Sequence, residues 1–114
     1  MSRYIFRGDI YITKLNPAIG HEQGGIRPVL VIQNDVGNHH SPTIIVAPLT
    51  SRIKKTNLPT HVCISDRAKL EKNSVVLLEQ IRTLDKSRLG DFLGRLNDIE
   101  MTAVNKAISI SLGI

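Results

Sequence analysis

The chain has 114 residues, with 15 Lys and Arg against 10 Asp and Glu, a formal net charge of +5 and a single cysteine. A chain of this length buries about 65% of its unfolded surface on folding, so it needs no disulfide or structural metal to hold a core. No apolar run is longer than four residues, far short of the roughly 20 that span a membrane. We therefore expect one domain over residues 1–114, no membrane segment or signal peptide, and a reducing cytoplasm.

The basic surplus lies in the first half of the chain. Seven basic and three acidic residues precede Leu58, whereas eight basic and seven acidic residues follow from there. Such an imbalance is typical of proteins that bind an anionic partner, most often nucleic acid, but a solvated basic surface gives the same pattern. Charge alone leaves both interpretations open.

Short apolar or alternating segments predict a mostly β chain. The predicted strands are 9–13, 28–32, 43–49, 60–64, 74–78 and 90–96. A long loop over 15–26 contains one Pro and three Gly, and loops of this length are often functional. The segment 34–42 is rich in turn-forming residues, and 51–58 is polar and basic.

The C-terminal segment has the pattern of a helix. Asn97 followed by Glu100 resembles a capping box, apolar residues then recur at helical spacing, and Gly113 stands where a helix stop is expected. Closely spaced strands followed by one helix leave little room for β-α-β crossovers. The pattern predicts a small, mostly antiparallel barrel with a C-terminal helix.

Common metal and nucleotide motifs are missing from the sequence. The pair His39-His40 and the triplet His61-Val-Cys63 have no second half at zinc-ligand spacing. The glycine-rich segment 20–25 lacks the Lys-Ser/Thr pair of a phosphate-binding loop. Cys63 alternates with two apolar residues, so a Cys–His nucleophile is conceivable, although an ordinary strand cysteine fits the pattern better. We expect no metal and no cofactor.

Arg27 is the most informative single position. It follows Gly24 and Gly25, which let a backbone approach a ligand closely, and it precedes Pro28, which favours extended geometry. An arginine at the mouth of a strand is well placed to bind a phosphate through its guanidinium fork. An exposed charge that merely flanks the strand is the alternative.

Several ordered blocks resemble one protein family. They are Arg7-Gly-Asp-Ile-Tyr11, Glu22-Gln-Gly-Gly-Ile-Arg-Pro-Val-Leu-Val-Ile-Gln-Asn34, Ser41-Pro-Thr43, Leu49-Thr50, Leu58-Pro-Thr60 and Leu78-Glu-Gln-Ile-Arg-Thr-Leu-Asp85. Together they resemble the MazF/PemK toxins, in the Gram-positive branch, over nearly the whole chain. The resemblance implies an SH3-like barrel, a homodimer, and the toxin of a type II toxin–antitoxin pair. It also implies metal-independent cleavage of single-stranded RNA at short sequences.

The chemistry of such a cleavage can be stated independently. The neighbouring 2′-hydroxyl attacks the phosphate and leaves a 2′,3′-cyclic phosphate and a 5′-hydroxyl, so the site must stabilise phosphorane charge and move two protons. The resemblance implies Arg27 and Thr50 as the catalytic pair. Because a guanidinium stays protonated, Arg27 is a charge stabiliser rather than a base, and the general base remains unassigned.

The resemblance also indicates residues around this pair. Candidate RNA-binding residues are Glu22, Gln23, Asn34, Ser51, Lys54, Glu79, Gln80 and Arg82. Glu22 either accepts a proton near the 2′-hydroxyl or only anchors the loop. His21 departs from the small polar residue expected there. The loop with Gly20, Gly24 and Gly25 is expected to be mobile and to lie under the C-terminal segment of a MazE-like antitoxin.

Two other functions compete with the nuclease. CcdB-like toxins of the same fold poison DNA gyrase by binding, without catalysis. A plain nucleic-acid-binding barrel would also fit the charge. The presence of both Arg27 and Thr50, together with the Glu-Gln-Gly-Gly-x-Arg-Pro block, favours the nuclease.

Overall fold

The computed structural model describes residues 4–51, 58–65 and 73–114. Within these residues there are seven strands, two α-helices and one 3₁₀ turn. In chain order they are β1 (Asp9–Lys14), β2 (Ile26–Val31), α1 (Asp35–His40), β3 (Thr43–Thr50), β4 (His61–Ile64), β5 (Ser74–Leu77), β6 (Arg82–Asp85), the 3₁₀ turn (Lys86–Arg88), β7 (Leu89–Arg95) and α2 (Asp98–Leu112). The predicted mostly antiparallel β fold with a C-terminal helix is confirmed.

All strand pairs in the described part of the chain are antiparallel. The strands follow the order β4-β5-β3-β2-β1-β7, and β6 pairs with β3 beside this path. Strand β3 is the centre of the sheet: its first half, Thr43 to Val46, pairs with β6, and its last two residues pair with β5. Its eight residues are mainly β-branched or apolar, which suits a strand buried between neighbours.

Two buried clusters cover the two faces of the sheet. One includes Leu30, Ala47 and Leu49 of the sheet together with Val104 and Ala107 of α2. The other lies on the opposite face and is closed by residues from the loop and the later strands. It contains Ile5, Tyr11, Leu15, Val29, Val31, Ile44, Val46, Leu84 and Leu89. The alternation of side chains along β2 and β3 therefore feeds both clusters.

Helix α2 begins and ends where its sequence predicts. The Asn97 side chain accepts a hydrogen bond from the Glu100 backbone N–H at 2.8 Å, and Glu100 accepts one from the Asn97 N–H at 2.9 Å. At the other end Gly113 adopts a left-handed conformation with φ of 72°, which glycine tolerates best. Among the described residues, no helix has both the length and the apolar character required to cross a bilayer.

The segment 34–42 differs from its prediction as turns alone. Residues 35–40 form the short helix α1, because the Asn34 side chain accepts from the Gly37 N–H at 2.8 Å and caps the first turn. The buried Asn38 amide donates to the Gln33 carbonyl at 2.9 Å and ties the helix to the end of β2.

Strand boundaries shift by one or two residues from the predicted ones, and strand β6 has no counterpart among the predicted strands. Its four residues pair with Thr43–Val46 of β3, and only Leu84 is buried. Residues 52–57, most of the predicted polar segment, lie outside the described residues.

Candidate active site

Arg27 and Thr50 lie at the same edge of the sheet, where β2 begins and β3 ends. In the β2–β3 pair Val29 lies opposite Pro48, and Val31 lies opposite Val46. The paired part of the two strands stops there, two residues short of Arg27 and of Thr50. Because side chains alternate along a strand, Arg27 lies on the face of Val29, and Thr50 lies on the face of Val46 and Pro48.

The two side chains differ in exposure. Arg27 is half-buried, and its Nε donates to the Gly24 carbonyl at 2.6 Å. This bond occupies the inner edge of the guanidinium and leaves the two terminal nitrogens for a ligand. Thr50 is 7% exposed, at the last position of β3. Neither side chain therefore protrudes far from the surface.

The loop between β1 and β2 is held in place by hydrogen bonds at several points. The Asn16 side chain accepts from the Gly25 N–H at 3.0 Å, and the Glu22 carboxylate accepts from the Ile19 N–H at 2.8 Å. The contact of Glu22 supports its role as a loop anchor. The mobility expected of Gly20, Gly24 and Gly25 stays a prediction.

The turn between β5 and β6 binds this loop from the other side. Gln80 accepts from the Gln23 N–H at 2.8 Å and donates to the His21 carbonyl at 3.3 Å. Arg82, the first residue of β6, donates to the Leu15 carbonyl at 3.1 Å. Loop and turn thus form two walls that face each other.

A cleft of about 680 Å³ lies between these walls. Five of the eight predicted RNA-binding residues line it. The full lining is Ile19, His21, Glu22, Gln23, Pro48, Glu79, Gln80, Ile81, Arg82 and Thr83. Arg27 and Thr50 are not among these lining residues, but Pro48 lies opposite Val29 on the face that carries them, so the cleft and the two predicted catalytic residues share one side of the sheet. Ile19, Ile81 and Thr83 carry no sequence signal that distinguishes them from ordinary loop and strand residues.

Three predicted residues lie elsewhere or outside the described part. Asn34 caps α1 at the opposite end of β2, seven positions and about 23 Å of extended chain from Arg27. Ser51 is exposed and directly follows Thr50. Lys54 lies outside the described residues. The structure therefore gathers Glu22, Gln23, Glu79, Gln80 and Arg82 but not Asn34.

The histidine and cysteine side chains do not assemble a metal site in the described ranges. Across residues 4–51, 58–65 and 73–114, no three His, Cys, Asp or Glu side chains are grouped to hold an ion. Cys63 is exposed, while Val62 and Ile64 face the core, as the alternation predicts. The His61 ring forms a hydrogen bond with Glu79 rather than with the Cys63 thiol, with 2.7 Å between Nε2 and Oε2.

Fold and site together define a class of protein. Residues 6–112 match the family model described as the PemK-like, MazF-like toxin of type II toxin–antitoxin systems. The match covers nearly the whole chain, so the chain belongs to this toxin family.

Relatives of known name agree with this assignment. The chain is 60% identical to endoribonuclease MazF of Staphylococcus saprophyticus over 109 residues, which are 95% of this chain and 91% of the relative. It resembles the crystal structure of MazF from Deinococcus radiodurans with a TM-score of 0.82 and 30% identity, covering 99% of this chain and 100% of the other. A mycobacterial endoribonuclease in complex with its cognate antitoxin gives a TM-score of 0.81 and 28% identity over 96% of both chains.

Proposed function

We propose that this toxin is a sequence-specific endoribonuclease that cleaves single-stranded RNA, chiefly messenger RNA in the cytoplasm, without a metal ion. One domain over residues 1–114 carries the activity, and the working unit is a homodimer. The observation that supports it most directly is that the strand ends carrying Arg27 and Thr50 lie at one edge of the sheet, on the side that has a cleft rich in hydrogen-bonding groups. The relative named endoribonuclease favours catalysis over the CcdB-like binding of gyrase.

The proposed reaction needs no water as nucleophile. The 2′-hydroxyl loses its proton to an unassigned general base and attacks the adjacent phosphorus. A bond forms to the 2′-oxygen, the bond to the 5′-oxygen breaks, and the 5′-oxygen takes up a proton, which leaves a 2′,3′-cyclic phosphate and a 5′-hydroxyl. The terminal nitrogens of Arg27 stabilise the charge that develops on the phosphoryl oxygens. Thr50 hydrogen-bonds the scissile phosphate or orients the attacking hydroxyl.

Substitution of the catalytic pair tests this assignment. We expect Arg27→Ala and Thr50→Ala each to lower the cleavage rate of a single-stranded RNA by about 100-fold or more, the scale of one lost transition-state donor. Lys106→Ala, which removes an exposed cation from α2, is the matched control and should cleave normally. Rates come from single-turnover assays with mapped 5′-hydroxyl ends. Near-normal cleavage by a folded Arg27→Ala or Thr50→Ala protein would refute the roles.

Metal independence is tested separately. Cleavage should persist in excess EDTA, because the proposed mechanism uses a guanidinium where other nucleases use a metal ion. The measurement is the same single-turnover rate before and after chelation. Loss of activity that one divalent ion restores would contradict the proposal.

The proposed inhibitor is the acidic C-terminal segment of a MazE-like antitoxin. Solved complexes of MazE with MazF from Deinococcus radiodurans resemble this chain, with a TM-score of 0.75 for one form. The Arg27 guanidinium, which would bind an RNA phosphate, would equally bind a carboxylate. We expect the segment to order on binding and to cover Arg27.

A further inference from the structure

A contact between His61 and Glu79 links strand β4 to the cleft. His61 is the first residue of β4, and Glu79 lies in the turn after β5, on the cleft wall. The His61 Nε2 and the Glu79 Oε2 are 2.7 Å apart. The histidine side chain is 8% exposed and the glutamate side chain 36%, so a nearly buried ring holds a carboxylate that still reaches solvent.

The other carboxylate oxygen is held from the same side. The Thr60 hydroxyl donates to the Glu79 Oε1 at 3.3 Å. The backbone fixes this arrangement, because the Leu78 N–H donates to the Thr60 carbonyl at 3.0 Å and the His61 N–H donates to the Leu58 carbonyl at 3.0 Å. Both oxygens of Glu79 therefore have a defined direction before any ligand arrives.

The tautomer of His61 follows from its surroundings. Its Nδ1 is buried and has no hydrogen-bond partner among the described groups. Nδ1 is unpaired in either tautomer, so the contact with Glu79 decides: a proton on Nδ1 alone would set two acceptors, Nε2 and Oε2, against each other. The proton therefore belongs on Nε2, which donates to Glu79. Since a carboxylate oxygen has two lone pairs, each Glu79 oxygen retains one for a ligand.

We propose that His61 is a positioning residue for base selection, because it fixes Glu79 to accept a hydrogen bond from the exocyclic amino group of an RNA base in the cleft. The inference rests on the proposed nuclease function. An ionised carboxylate only accepts, so at the position of the amino group it favours adenine, cytosine or guanine over uracil, which presents a carbonyl oxygen there. Fixing the carboxylate beforehand reduces the entropy lost when RNA binds.

The experiment compares variants of His61 on a defined set of RNAs. His61→Leu removes the donor while retaining a side chain of similar bulk, and His61→Gln retains an amide N–H that reaches Glu79. Cys63→Ser, on the exposed face of the same strand, is the matched control. The substrates are the best-cut oligonucleotide of the wild type and a series in which uracil replaces each base in turn. Cleavage rates give kcat and KM for each combination of protein variant and RNA substrate.

We expect the wild type to lose about tenfold in kcat/KM when uracil replaces one particular amino-bearing base. His61→Leu should lose that discrimination, mainly through KM for the best substrate, because the contact forms on binding. His61→Gln and Cys63→Ser should retain it. An unchanged preference in His61→Leu, or a loss equal for every substrate, would overturn the positioning role. A purely structural role would produce the second result.

Three further outcomes can be distinguished. If His61→Leu fails to fold by circular dichroism, His61→Asn, whose amide is too short to reach Glu79, replaces it and is judged by the same criterion. If the wild type cuts no RNA, the proposed nuclease function fails, and this inference fails with it. If the wild type cuts with a preference that both His61 variants retain, only the present inference is wrong.

Discussion

Two arginines hold the ends of the loop between β1 and β2. Arg27 donates to the Gly24 carbonyl at 2.6 Å, and Arg82 donates to the Leu15 carbonyl at 3.1 Å. Both belong to the face of the sheet that carries Val29 and Val46, because Arg82 lies opposite Val46. Charged donors strengthen such bonds to the backbone. A phosphate bound at Arg27 would therefore be separated from the loop backbone by a single hydrogen bond, the one between Arg27 and the Gly24 carbonyl.

The contacts of Asp9 show why the first sequence block, Arg7-Gly-Asp-Ile-Tyr11, contains an aspartate. Its carboxylate is 1% exposed and accepts from the Phe6 N–H at 2.9 Å, the Tyr11 hydroxyl at 3.1 Å and the Arg95 Nε at 2.6 Å. The carboxylate raises the pKa of Arg95, through the hydrogen bond first and the opposite charge second. One acidic side chain thus joins the N-terminal turn, β1 and β7.

Removal of this carboxylate should destabilise the fold. We expect Asp9→Ala to lower the free energy of unfolding by about 3 kcal/mol, since it removes the buried acceptor of three hydrogen bonds, each worth about 1 kcal/mol. Arg95→Ala should also cost more than an exposed ion pair, about 2 kcal/mol, because it leaves the buried Asp9 carboxylate with its two neutral donors but without its counter-charge. Urea unfolding measures both, and Asp91→Ala on the exposed side of β7 is the control. A loss for Arg95→Ala no larger than that for Asp91→Ala would contradict the stabilising role of this ion pair.

At the scale of elements, the 3₁₀ turn depends on a cap of its own. The Ser87 hydroxyl and then its backbone N–H donate to Asp85, and these two bonds lower the pKa of the Asp85 carboxyl. A lowered pKa means that the interaction stabilises the fold above the unfolded pKa of the aspartate. That contribution is lost as the pH falls through the folded pKa.

The Ser87 hydroxyl is the larger of the two causes, and this can be measured. We expect Ser87→Ala to raise the pKa of Asp85 toward its ordinary value, with the backbone bond accounting for what remains of the shift. An NMR titration of the side-chain carboxyl follows it directly. Exposed Asp98, at the start of α2, serves as an internal reference. An unchanged Asp85 titration in Ser87→Ala would assign the shift to the backbone alone.

The elements differ in how far their sequence could predict them. Helix α2 was predictable because its capping box and its stop glycine are local signals. Helix α1 was not, because its six residues include Gly37 and no apolar periodicity, and it depends on the buried Asn38 bound to Gln33. Strand β6 was missed because only one of its four residues is buried and its partner strand begins some 40 residues earlier.

The residues of the candidate site also differ in how far the sequence could predict them. Arg27 and the glycines before it form a local pattern, and family resemblance supplied Thr50 and the residues of the 78–85 block. The cleft itself depends on Gln80 meeting Gln23 and His21, which are 57 and 59 positions away in sequence. No local pattern encodes such contacts. The placement of Asn34 at the far end of β2 was predictable, because Arg27 precedes the predicted strand 28–32 and Asn34 follows it.

For the whole molecule, we expect RNA and antitoxin to compete for one surface. The test is binding to the Arg27→Ala protein, which avoids turnover, with a labelled single-stranded RNA and the acidic antitoxin segment. Saturating antitoxin should lower the affinity for RNA by at least tenfold, because both ligands would occupy the loop and the cleft. A ternary complex with unchanged RNA affinity would contradict competition.

Substitution of the loop glycines extends this test. At Gly24 an added Cβ would lie 2.8 Å from Asn16 Oδ1 and 2.9 Å from Ala18 Cβ, and Gly25 has a φ of +76°, which alanine adopts only with strain. We expect Gly24→Ala and Gly25→Ala to change both cleavage and antitoxin affinity. Gly25 has open space around it and Gly24 has no positive φ, so comparison of the two variants separates backbone strain from crowding, and Gly20→Ala, with positive φ and open space, is a second test of strain alone.

The pairing of β1 with β7 has a consequence for the newly made protein. Asp9 and Arg95 are 86 positions apart, yet their side chains bond and their strands are neighbours. During translation the edge of β1 that faces β7 stays unpaired until β7, the last described strand in chain order, has been made. Helix α2, which completes the other core cluster, is made later still. Among the described strand pairs, the pairing of the first strand with its second neighbour is therefore the last that synthesis allows.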